Sequence, residues 1–106
     1  MSNTLPLFMS AALLLMAIGL LGLVSRRTLV GMLISVEMLL NGAGLSVVAA
    51  AQLTPAPSAA GQLAAIFIMG LAAAEATLIL AMMVVVSRRF GSVETSALTS
   101  IKDAEI

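Results

Sequence analysis

The chain has no cysteine, no histidine, no tryptophan and no tyrosine. Without cysteine there is no disulfide framework, no thiol nucleophile and no thiolate-held iron–sulfur cluster. Without histidine there is no Ser-His-Asp triad, and a Cys/His metal site has neither ligand type. Charge is equally scarce. Five basic and five acidic residues make up 9% of 106 residues and cancel to zero, where an ordinary soluble domain is roughly a quarter charged. A balance of that kind offers no basic face to nucleic acid. What fills the chain is apolar: 61% hydrophobic residues and a mean hydropathy of +1.19. A chain this short has too little interior to hide that surface from water, so its solvent is lipid.

The charges divide the chain into long apolar stretches. Residues 5–24 carry no charge, residues 28–50 carry only Glu37, and residues 63–86 carry only Glu75. About 20 apolar residues cross a hydrocarbon core as a helix, and a spanning segment has to satisfy its own backbone polar groups. No ten-residue alternation of a membrane barrel is visible. The expectation is an all-α integral membrane protein with three transmembrane helices in a single membrane domain, residues 1–106. A polar tail over residues 87–106 is expected in the cytoplasm. The first stretch lacks a basic leader segment and a small-residue cleavage site, so it is read as a retained helix.

Arg26-Arg27 follows the first span and Arg88-Arg89 the third. Two crossings separate the pairs, so both lie on one side. The segment 52–62, with Pro55 and Pro57, is uncharged and reads as an extended loop on the other side. The positive-inside rule then places the arginines in the cytoplasm and the N-terminus outside. As topology signals these arginines also reach for headgroups. Pro6 falls in the first turn of helix 1, where a missing N–H costs little. The eight methionines serve as apolar filler, the glycines of helices 1 and 2 as close-packing sites. An aromatic belt is missing, since only Phe8, Phe67 and Phe90 are aromatic, which points to neighbouring chains around this one.

Glu37 and Glu75 are the informative residues. An ionisable group at the bilayer centre costs about 2.5–3.5 kcal/mol on insertion scales. Counted at 1.5 Å per residue, Glu37 lies about 13 Å from residue 28 and Glu75 about 16 Å from residue 86. The two helices run in opposite directions, so both carboxyls arrive near mid-membrane. Asn41 follows Glu37 by one turn on the same face, with Gly44 beyond it, and this polar stripe is expected to face protein or water. Glu75 stands among alanines that let helices approach closely. A carboxyl that is neutral in one state and ionised in the next is what a proton relay requires. The plainer role is interhelical hydrogen-bonding by two protonated glutamates.

The segment Met32-Leu33-Ile34-Ser35-Val36-Glu37-Met38-Leu39-Leu40-Asn41, together with Gly61-Gln62 and Leu71-Ala72-Ala73-Ala74-Glu75-Ala76, resembles the two signature segments of the NuoK family. This is the small three-helix subunit K of respiratory complex I, NADH:quinone oxidoreductase. Gly22 to Arg27 also resembles the family, and the likeness runs from about Gly19 to Arg89. The resemblance implies a membrane-arm subunit of a proton-translocating enzyme of the respiratory chain. It implies proton-relay roles for Glu37 and Glu75, with Asn41 as possible support, on the polar chain linking the quinone (ubiquinone-type) site to antiporter-like pumps. It further implies no catalytic centre and no bound cofactor or metal in this subunit, partners among the other membrane subunits, and a place in the cell inner membrane. The alternative is the small subunit of a multisubunit cation/proton antiporter, which generally lacks both glutamates. Small multidrug transporters have four spans and a carboxyl in helix 1. ATP synthase rotor subunits have two spans.

Overall fold

The computed structural model describes residues 3–91. It contains three helices in chain order: α1, Thr4–Ser25; α2, Leu29–Leu53; and α3, Ser58–Phe90. All three are long and apolar enough to cross a membrane, and the all-α architecture read from the sequence holds.

Every helix end but the start of α2 lies outside the expected spans, most of all in α3. The segment 52–62 was expected to be an extended loop, but only residues 54–57 are non-helical. Thr54 and Pro57 are extended there. Pro57 sits just before the first turn of α3, where its ring is tolerated, and Ser58-Ala59-Ala60 includes two of the best helix formers. At the other end the helix continues through Ser87, Arg88, Arg89 and Phe90. These residues were assigned to the tail. Basic side chains near a helix C-terminus oppose the dipole favourably. Gly91, at φ +69°, then stops the helix, its N–H donating to the Ser87 carbonyl at 2.9 Å. The rest of the tail, residues 92–106, lies outside the described residues.

The link between α1 and α2 is tighter. Arg26 turns extended, its N–H donating to the Gly22 carbonyl at 2.9 Å. Thr28 caps α2 by accepting the Gly31 N–H at 3.1 Å.

α2 is the central helix. It packs against α1 on one side and α3 on the other, while α1 and α3 hardly touch. Two rows of small residues explain this. Ser35, Gly42 and Ala49 recur every seven residues and are all buried. A Cβ at Gly19 would stand 2.7 Å from the Ser35 carbonyl oxygen, and one at Gly42 would stand 2.8 Å from that of Ala12. This row therefore seats α1. Glu37, Gly44 and Ala51 form the second row, two residues out of step and so about 200° around the helix. It seats α3: Gly61 rests on Ala51, and a Cβ at Gly44 would meet the Ile68 methyl at 4.0 Å. Small residues allow this approach where lipid supplies no hydrophobic drive between helices. Outward faces stay apolar and open, as at Leu21 (67% exposed) and Phe67 (77%).

Candidate functional site

The α2–α3 seam has a defined register. Ala51 opposes Gly61, and seven residues back along α2 and onward along α3, Gly44 opposes Ile68. Counted a further seven residues along each antiparallel helix, the backbone positions of Glu37 and Glu75 fall at the same level. Successive layers lie about 10.5 Å apart along the axis. The seven-residue step keeps each layer near the same face of both helices. Both glutamates are half-buried. Helix ends would have given a poorer estimate of their levels, because α3 runs past residue 86; the register does not depend on where the helices stop.

Glu37 also opens onto a cleft of about 400 Å³ between the two helices. Asn41, Gly44 and Leu45 continue its α2 wall, and Ala65, Ile68, Met69, Ala72 and Ala73 form the α3 wall. The cleft runs from the Glu37 layer toward the 54–57 link. The Glu37 Oε1 is shielded from solvent and accepts no hydrogen bond in the chain. Asn41, expected to face protein or water, is exposed at the cleft wall. Glu75 does not line the cleft; it belongs to the layer at the cleft's end.

Nearby hydroxyls are committed to their own helices. Thr77 donates to the Ala73 carbonyl at 2.9 Å, Ser46 to Ala43 at 2.7 Å and Ser35 to Gly31 at 2.8 Å. That leaves Glu37, Glu75 and Asn41 as the polar side chains of the α2–α3 seam at this level. Among the described residues no group of three or more metal-ligating side chains occurs. The α3 wall escaped the sequence reading. Its residues are apolar on a helix that is apolar all round, and only the spacing of Gly44 and Ala51 against Ile68 and Gly61 signals which stripe turns inward.

Three helices long and apolar enough to span, with one half-buried carboxyl on each helix of the α2–α3 seam, define a small multi-pass membrane protein carrying ionisable groups within its spans. Residues 7–103 match the family model described as NADH-ubiquinone/plastoquinone oxidoreductase chain 4L, and the chain belongs to that family. It is 45% identical to NADH-quinone oxidoreductase subunit K 1 of Syntrophobacter fumaroxidans, over 86% of this chain and 89% of that one. It is 39% identical to NADH-quinone oxidoreductase subunit K of Nitrosospira multiformis, over 86% and 87%. With subunit K of Bacillus cereus the identity is 35%, over 90% and 91%. Family and relatives identify a subunit of the NADH-quinone oxidoreductase complex, so other subunits of that complex are its partners.

Proposed function

We propose that Glu37 and Glu75 together form one station of the proton relay in the membrane arm of this oxidoreductase, with Asn41 supporting the approach to Glu37. What supports the reading is the counted register: two half-buried ionisable residues on antiparallel helices fall at one level beside an apolar seam. Two carboxyls at one level can exchange a proton through intervening water without either helix moving along its axis. The cleft beside Glu37 gives water or a neighbouring side chain room to reach the pair.

In this reading the subunit holds no redox group and no catalytic centre. The absence of cysteine fits that, since it removes the usual cluster ligands. Electron transfer belongs to other subunits, and antiporter-like subunits receive the proton or its charge. Both arginine pairs lie on the cytoplasmic side of the cell inner membrane and the N-terminus lies outside, as the positive-inside rule directs.

The test is donor-driven proton uptake in membrane vesicles, with complex content measured in parallel. Glu37→Gln keeps shape and hydrogen bonding but cannot titrate. Pumping per assembled complex is expected to fall at least tenfold, which is about 1.4 kcal/mol on the rate-limiting step. Glu75→Gln is expected to act by the same route. Normal pumping per assembled complex in the double variant would refute the relay and leave the glutamates as hydrogen-bonding groups.

A further inference from the structure

The seam between α1 and α2 carries a second feature that the relay does not use. At the end where α1 passes into α2, a groove of about 320 Å³ runs between the helices, bounded by Ile18, Gly22 and Arg26 on one side and Val30, Gly31 and Ile34 on the other. Arg26 marks its mouth. A Cβ at Gly31 would stand 3.0–3.1 Å from Cβ, Cγ and Cδ of Arg26. The arginine stem therefore lies closely over Gly31. Among the described residues Arg26 has no ion-pair partner, and its side chain is exposed.

Below the arginine the groove is apolar. Ile18, Val30 and Ile34 remain 44%, 45% and 56% exposed along it. The two hydroxyls that border it are already used, Thr28 in capping Gly31 and Ser35 in bonding to the Gly31 carbonyl. Eight residues from Arg26 to Ile18 span about 12 Å. The groove is open along its length and apolar, with one cation at its polar end.

We propose that this groove is a phospholipid site, with the headgroup phosphate on the Arg26 guanidinium and one acyl chain laid along Gly22, Ile18 and Ile34. Arginine suits a phosphate because its planar donors can engage two oxygens at once. The site is on the face of α2 opposite the glutamates, so it stands whether or not the relay does.

The experiment uses the assembled complex in native membranes, supplied with a phosphatidylglycerol whose acyl chain carries a photoactivatable diazirine. Peptide mapping after illumination is expected to find adducts on Ile18, Ile34 and Met38 well above those on Phe67, a control residue exposed on α3. Arg26→Gln is expected to lower these adducts about fivefold at unchanged complex content, the ratio for one surface cation. Arg26→Lys should lower them less. Ile34→Trp, which fills the groove, should reduce them to the Phe67 level, and excess inorganic phosphate should leave them unchanged. Adducts no more frequent than on Phe67 would overturn the proposal. So would insensitivity to Arg26→Gln, displacement by free phosphate, or a disulfide from Ile34→Cys to another subunit, which would make the groove a protein contact.

Discussion

Gly19→Ala and Gly70→Ala are the same chemical change in two spanning helices, and the structure gives them opposite signs. A Cβ at Gly19 would lie 2.7 Å from the Ser35 carbonyl oxygen and 2.8 Å from the Leu39 nitrogen. Both are backbone atoms of α2, so no rotamer change relieves the clash. Bringing the closer contact to 3.4 Å requires α1 to retreat by about 0.7 Å over its crossing point. Overpacking of this kind costs about 1–3 kcal/mol, partly offset by up to about 1 kcal/mol from replacing a helical glycine with alanine. At Gly70 nothing lies within 4 Å of the added methyl, so within the chain only the favourable helix term remains. The measurement is the temperature at which the subunit leaves the purified complex, followed on native gels. Gly19→Ala should lower it by several degrees, and Gly70→Ala should leave it unchanged or raise it. Pumping per assembled complex should be normal in Gly19→Ala, since the α2–α3 seam is not the one disturbed. Equal release temperatures for the two variants would refute the assigned packing of α1 on α2.

The register of the α2–α3 seam is open to cross-linking. Cysteine pairs at Gly44/Ile68 and at Glu37/Glu75 should both form disulfides under mild oxidation, whereas Gly44/Glu75, about 10 Å out of step, should not; cross-linking of the displaced pair alone would refute the layering. Orientation is checked by thiol labelling in sealed cells: Ser58→Cys should react with an impermeant reagent from outside, and Arg89→Cys only after the membrane is opened.

Much of the fold was legible because ten charges in 106 residues leave the spans standing out. The helix ends were not. An arginine pair marks where the chain meets headgroups, while a helix ends where its backbone hydrogen bonds do, and α3 carries Arg88 and Arg89 inside its last turn before Gly91 stops it. In the same way, Ser58-Ala59-Ala60-Gly61 reads as loop beside two prolines, yet Gly61 resting on Ala51 makes it the first packed turn of α3. Glu37 and Glu75 were visible as isolated carboxyls in apolar runs, and both are half-buried on the helices that form the α2–α3 seam. Asn41 was harder: a helical face can be read from spacing, but its position on an open cleft wall depends on how far α3 stands away. The seven-residue rows of α2 were present in the sequence all along. Two rows on opposite faces become meaningful only once each has a helix against it.

That arrangement makes the molecule a short one-dimensional array. Each seam is a nearest-neighbour term, and among the described residues there is no three-way core to couple them, much as in repeat proteins whose units contact only adjacent units. Damage on the α1 side of α2 subtracts from one term and leaves the other nearly whole. The α2–α3 seam is thus insulated from the α1–α2 seam, and the two are free to diverge in sequence independently, provided each keeps the small residues that seat its helix on α2.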